Sequence, residues 1–282
     1  MAEKIYLVLE NGKVFTGKSF GKIGETKGEL VFTTAMTGYL ETLTDPSYFG
    51  QIVIQTFPLI GNYGVIPQDF ESERPHLQGY IVRDWCNTPS NFRSESDIDS
   101  FLKKENIVGL YDIDTRCLTR IIREQGVMRA KITQNIDDIE EIIAELKAFT
   151  IENSVETVST SDVVTLKSDH TKHKVVLWDF GAKGNISKEL LKRGCDVTIV
   201  PYNTSAAAIL AMSPDGIMLS NGPGNPADNV GIISELAKIC EKKVPIFGIC
   251  LGHQLLALSQ GGKTEKLKYG HRGANQPVVR LE

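Results

Sequence analysis

No window of this 282-residue sequence approaches the apolar length of a membrane span. The opening run Ile5-Tyr6-Leu7-Val8-Leu9 is too short for a signal peptide. Lys and Arg form no cluster, and a formal charge of −4 with a pI near 5.8 gives no electrostatic reason to expect nucleic acid. Cysteine is sparse: five residues, an odd number and widely spaced, which argues against a disulfide framework and for reduced thiols in a cytoplasmic protein. Histidine is as rare. Of His76, His170, His173, His253 and His271, none is followed two residues later by a carboxylate. With 41% hydrophobic residues the chain can bury substantial cores, and its length suits two domains.

Against this background Pro245-Ile246-Phe247-Gly248-Ile249-Cys250-Leu251-Gly252-His253-Gln254 stands out. An apolar run short enough for a buried strand ends in Gly-x-Cys-x-Gly and passes straight into a helix-like segment, Leu251 to Ser259. This is the nucleophile-elbow pattern with cysteine in the serine position. Gly248 and Gly252 flank the reactive residue because a sharp strand-to-helix turn leaves no room for side chains beside it. The turn would aim the sulfur off the sheet edge, bring backbone N–H groups to a forming oxyanion and set the thiolate at a helix N-terminus. Cys250 is therefore read as a covalent nucleophile. Cys86, Cys117, Cys195 and Cys240 lack such a setting and are assigned to packing.

The composition changes between residues 151 and 173, which are polar, hydroxyl-rich and poorly periodic, and these are read as a linker. His170 and His173 within it have no further ligands nearby and read as solvated rather than metal-binding. Residues 1–150 show strand-like and helical stretches in mixed order, an α+β domain. It opens with Ile5–Glu10 and Lys13–Phe20 joined by Asn11-Gly12, a two-residue hairpin signal. Residues 174–282 alternate strand and helix, which predicts a parallel sheet covered on both faces. In such sheets sites form beyond the carboxyl ends of strands, where both Cys250 and the loop Asn221-Gly222-Pro223-Gly224-Asn225-Pro226 fall.

Two motifs match the wrong chemistry. Gly12-Lys13-Val14-Phe15-Thr16-Gly17-Lys18-Ser19 satisfies the phosphate-loop pattern, but that loop must open a helix and this segment is β-like. Asp179-Phe180-Gly181 matches the kinase metal-binding triplet without any companion kinase motif, and reads as a strand end.

The elbow together with Ser220-Asn221-Gly222-Pro223-Gly224 resembles the class I glutamine amidotransferase domain. Thr37-Gly38-Tyr39, Leu43-Thr44-Asp45-Pro46-Ser47-Tyr48, Asp112-Ile113-Asp114-Thr115-Arg116 and Asp179-Phe180-Gly181-Ala182-Lys183 narrow the resemblance to the small, glutamine-hydrolysing subunit family of carbamoyl-phosphate synthases. It covers essentially the whole chain. The resemblance implies that Cys250 forms a γ-glutamyl thioester and releases ammonia, with the N–H groups of Gly222 and Leu251 as the oxyanion hole. It further implies glutamine contacts from Ser47, Gly224 and Gln254. By itself, Ser47 reads as a turn serine after Asp45-Pro46. No cofactor is implied in this chain. ATP and magnesium are expected on a large partner subunit that consumes the ammonia, in the service of pyrimidine and arginine biosynthesis.

The family's general base is the His of a His-x-Glu pair, and this sequence contains no such pair. His253 lies three residues from Cys250 on the elbow helix, a poor geometry for a base and better suited to packing or hydrogen bonding. His271 matches a different family loop. The expectation is a chain truncated at its C-terminus, with an incomplete α/β sheet and weak or no turnover. The alternatives are a free-standing cysteine hydrolase of the same superfamily and a non-catalytic docking module.

Overall fold

The computed structural model describes residues 3–270 and 279–281. The chain divides into two compact units. One comprises the residues up to Thr44, Gly50–Ile151 and those from Lys266 on. The other comprises Asp45–Phe49 and Glu152–Glu265.

The first unit is built on a closed barrel. Strands β1 (Lys4–Leu9), β2 (Val14–Gly21), β3 (Thr26–Thr33), β4 (Gln51–Gln55), β6 (Gly79–Ile81), β8 (Val108–Tyr111) and β9 (Met128–Thr133) close in the order β1-β2-β8-β6-β4-β3-β9. The short strands β5 (Leu59–Ile60) and β7 (Asp84–Trp85) form a separate parallel pair. Helices α1 (Tyr39–Leu43), α2 (Ile98–Lys104), α3 (Thr115–Gln125) and α4 (Ile139–Ala148) complete the unit. Strand period-2 explains the layering. Ile5, Leu7 and Leu9 of β1 belong to the main core with Leu30, Ile52, Ile54 and Ile132, whereas Val8 packs with Ile142 and Leu146 of α4. Each Ile or Leu sealed in this way contributes about 1.5–3 kcal/mol. Sequence periodicity predicted mixed strands and helices here, and closure is the tertiary outcome of their pairing.

The hairpin between β1 and β2 differs from expectation. Leu9 N–H donates to Lys13 O (2.9 Å) and Gly12 N–H to Leu9 O (2.9 Å), so the loop holds three residues, Glu10-Asn11-Gly12. Gly12 takes φ 84°, while Asn11 is not among the positive-φ residues. A type I turn followed by a left-handed glycine requires only one such residue, whereas the two-residue I′ loop requires two. The phosphate-loop look-alike runs along β2 and opens no helix.

The second unit is a five-stranded sheet in the order β10-β12-β11-β13-β14. Strands β11 (His173–Trp178), β12 (Cys195–Val200), β13 (Gly216–Leu219) and β14 (Ile246–Gly248) are parallel, and β10 (Val164–Leu166) is an antiparallel edge on β12. Helices α5 (Ser154–Val158), α6 (Gly184–Lys192), α7 (Ala206–Ala211), α8 (Val230–Cys240) and α9 (Leu251–Ser259) accompany it. Val176 and Trp178 pack with Ile209 of α7, Leu236 of α8 and Leu255 of α9. The alternate residue Leu177 packs with Ile186 and Leu190 of α6 on the other face. Both faces are therefore helix-covered, as the alternating pattern requires.

Three segments behave differently from the sequence reading. The stretch 151–173 carries α5 and the edge strand β10, because Val164 and Leu166 complete the ladder on β12 despite their polar surroundings. Residues 266–270 group with the first unit: Lys268 O accepts from Val127 N–H (2.9 Å), and Tyr269 packs against the barrel core. Strand β14, expected to be buried, is half-exposed with Phe247 at 65%, since β13 is its only ladder partner among the described residues.

Candidate active site

The switch in strand order fixes where a site can form. From β11 the chain leaves through α6 to β12 on one side, and from β13 it leaves through α8 to β14 on the other. Between the carboxyl ends of β11 and β13 the connections diverge and open a crevice. The loops at this point are Asp179–Lys183 and Ser220–Asn225, and the elbow after β14 adjoins the second of them.

Cys250 sits between β14 and α9 with φ 51° and ψ −109°, a conformation that L-residues rarely adopt, and it is exposed. Local crowding enforces the bend. A Cβ on Gly248 would meet the His253 nitrogen at 2.6 Å, and one on Gly252 would meet the Leu219 carbonyl oxygen at 2.5 Å. Backbone bonds tie the turn to β13: Ile249 N–H donates to Leu219 O (3.0 Å), and Gly252 N–H to Ser220 O (3.0 Å). A strained, outward-facing residue over-determined by its surroundings is a recurrent device of catalytic sites. The N-terminus of α9 places partial positive charge beside this sulfur, which favours the thiolate.

Gly222 stands against the elbow. A Cβ there would collide with the Phe180 carbonyl oxygen and would lie 2.7 Å from Leu251 Cδ2, so Gly222 and Leu251 are neighbours. Among the described residues, neither the Gly222 N–H nor the Leu251 N–H has an acceptor within the protein. Leu251 is the first residue of α9, where a helix leaves its N–H groups unpaired. Two such donors beside an exposed thiol can hold an anionic oxygen formed when sulfur attacks a carbonyl carbon. Gly224, at φ +85°, has Ser154 of α5 on its Cβ side. Gln254 is exposed one turn into α9, its N–H donating to Cys250 O (3.0 Å).

The short 3₁₀ turn Pro46–Tyr48 belongs to the same unit and presents Ser47. Asp45 caps this turn by accepting the Ser47 N–H (2.9 Å), and its other oxygen meets Lys183 Nζ at 2.7 Å. Asn221 Nδ2 donates to Ser47 Oγ (2.9 Å). Asp179, buried at the end of β11, accepts the N–H groups of Gly181 (2.9 Å), Ala182 (2.7 Å) and Thr160 (2.7 Å). Sequence reading gave Asp179, Lys183 and Asn221 no role. Asp179, directly after the apolar run Val175–Trp178, and Asn221, directly before Gly222, were the available signals, since short polar side chains bond their own loop backbone.

Other assignments change. Cys117 is exposed on α3 and does not serve packing. Cys195 is buried as expected, and Cys86 and Cys240 are partly so. His253 is exposed on α9, not packed. His271 lies outside the described residues. Among the described residues no three His, Cys, Asp or Glu side chains gather as metal ligands, and no helix is long and apolar enough to cross a membrane.

A parallel sheet bearing cysteine on a strand-to-helix elbow, beside a glycine-rich loop at the switch point, defines an α/β domain equipped for nucleophilic acyl chemistry. Residues 176–282 match the class I glutamine amidotransferase family, and residues 7–132 match the CPSase domain of the carbamoyl-phosphate synthase small chain. A carbamoyl phosphate synthase small chain of Bacillus cereus is 55% identical over 278 residues, covering 99% of this chain and 75% of the relative. The small chain of Clostridium perfringens is 50% identical, covering 99% and 79%. A pyrimidine-specific small chain of Halalkalibacterium halodurans is 52% identical, covering 98% and 75%. The chain belongs to the carbamoyl phosphate synthase small-chain family, with a glutamine amidotransferase domain over residues 176–282.

Proposed function

We propose that this chain is the glutaminase subunit of a carbamoyl-phosphate synthase. The Cys250 thiolate attacks the side-chain amide carbon of glutamine, and the N–H groups of Gly222 and Leu251 hold the resulting oxyanion. Collapse breaks the C–N bond, the nitrogen leaves as ammonia after gaining a proton, and a γ-glutamyl thioester remains on sulfur. Water then attacks the thioester, returning the thiol and releasing glutamate. An oxyanion donor of this kind supplies about 3–4 kcal/mol of barrier lowering. Ser47, Gly224 and Gln254 contact the glutamine. The ammonia passes to a large subunit that uses ATP, magnesium and bicarbonate in the cytoplasm, this chain having no cofactor of its own.

The observation that carries this proposal is the bend at Cys250, exposed at φ 51° beside two N–H donors that have no acceptor among the described residues. Its test is alkylation by a diazo-ketone analogue of glutamine followed by peptide mass mapping. Modification at Cys250, prevented by excess glutamine, is expected; a Cys250 that stays unmodified overturns it. Co-purification with a large ATP-using chain tests the partner. The His-x-Glu pair is absent from these 282 residues, so glutamate release by this polypeptide is expected to be slower by about 10²–10⁴-fold than that of an amidotransferase possessing the base. A comparable turnover would contradict that expectation.

A further inference from the structure

Asn221 lies inside the glycine-rich motif, yet the chemistry above gives it no task. Its residue is 4% exposed, and its side chain makes three hydrogen bonds. Nδ2 donates to Ser47 Oγ (2.9 Å) and to Gly181 O (2.9 Å), while Oδ1 accepts from the Lys183 N–H (3.0 Å). The partners fix the orientation of the amide. The Gly181 carbonyl can only accept and the Lys183 N–H can only donate, so Nδ2 must face Gly181 and Ser47.

Two consequences reach the substrate side. Asn221 occupies a lone pair of the Ser47 hydroxyl, and the Ser47 N–H is already held by Asp45, so the hydroxyl proton is directed to a further acceptor. In addition, Ser220 Oγ donates to the Asn221 carbonyl oxygen (2.7 Å). That oxygen and the Gly222 N–H belong to one planar peptide unit and point in opposite directions. Holding the side chain and the carbonyl of Asn221 therefore aims the Gly222 N–H.

We infer that Asn221 is a positioning residue for glutamine, holding the Ser47 hydroxyl as a hydrogen-bond donor to a substrate oxygen and keeping the Gly222 peptide in register with the elbow. The inference rests on the proposed glutaminase function. Because Ser47 would bind ground state and transition state alike, its misplacement acts chiefly on KM.

The test is steady-state glutamine hydrolysis by the assembled enzyme. Asn221→Ala and Ser47→Ala are each expected to raise the KM for glutamine about tenfold, the magnitude of one well-placed hydrogen bond, and Asn221→Ala is expected to lower kcat as well, because it also frees the Gly222 peptide whose N–H holds the oxyanion. The double variant is expected to match the worse single one. Independent effects multiplying to about a hundredfold would overturn the inference. Should Asn221→Ala fail to fold, Asn221→Asp keeps the volume and the acceptor for Lys183 but removes both donors, and the same rise in KM is expected. An unchanged KM in Asn221→Asp overturns the role. Labelling of wild-type Cys250 separates the two ideas: labelling with unchanged KM values in the variants defeats only the role of Asn221, whereas no labelling defeats the glutaminase function beneath it.

Discussion

Gly252 and Leu219 touch through their backbones: a Cβ on Gly252 would lie 2.5 Å from the Leu219 carbonyl oxygen. Helix α9 begins against the end of β13, and this contact bends the chain at Cys250. Gly252→Ala must push the two apart, at a cost of about 1–3 kcal/mol of unfolding free energy. Denaturant unfolding measures this, and alkylation of Cys250 by the glutamine analogue is expected to slow in the same variant. Wild-type stability would mean that the elbow accommodates a methyl group.

The strain at Cys250 has a measurable counterpart. Glycine adopts φ 51° with ψ −109° without a steric clash, so Cys250→Gly is expected to stabilise the fold by about 1 kcal/mol while abolishing labelling. A thermal melt comparing this variant with Cys250→Ala, which keeps the strain, isolates the backbone contribution. Equal melting temperatures would remove the case for stored strain.

Asp179 holds three loop N–H groups from a buried position. Asp179→Ala orphans all three and is expected to cost about 3 kcal/mol, with Asp179→Asn costing less because one oxygen can still accept. Denaturant unfolding of both variants gives the order, and a reversed order would contradict it.

Acid should weaken the second unit through Asp196. Lys167 Nζ, the Ser168 N–H and the Thr171 hydroxyl hold its carboxylate, drawing its pKa from 3.8 down to about 2. A depressed carboxylate stabilises the folded state fully above its ordinary value, and that contribution fades as pH falls through about 2. The advantage of wild type over Asp196→Asn is therefore expected to be present at about pH 5 and gone near the folded pKa. An advantage constant over that range would show that charge is not its origin.

Much of the second unit is legible in sequence because its signals are local. Apolar runs at Val175–Trp178 and Gly216–Leu219, separated by helical spacing, can satisfy their backbone only as parallel strands under helices. Gly248 and Gly252 mark the elbow because no other residue fits there. The 151–173 stretch hid its strand: β10 is short and edge-placed, with its side chains largely exposed, so it carries no alternation to read. The barrel was equally hidden. Closure depends on β1 meeting β9 and on β2 meeting β8, pairings between distant segments with no local trace.

The bend at Cys250 was thus written in the chain itself, since a residue between two glycines, after a strand and before a helix, has few conformations open to it. Which groups surround that thiol was a tertiary decision. Ser47 and Asn221 stand 174 positions apart and share a hydrogen bond only because the switch in strand order opens a crevice and a five-residue segment, Asp45–Phe49, packs into the second unit. Local sterics are encoded residue by residue; the company a side chain keeps depends on how the whole sheet is assembled.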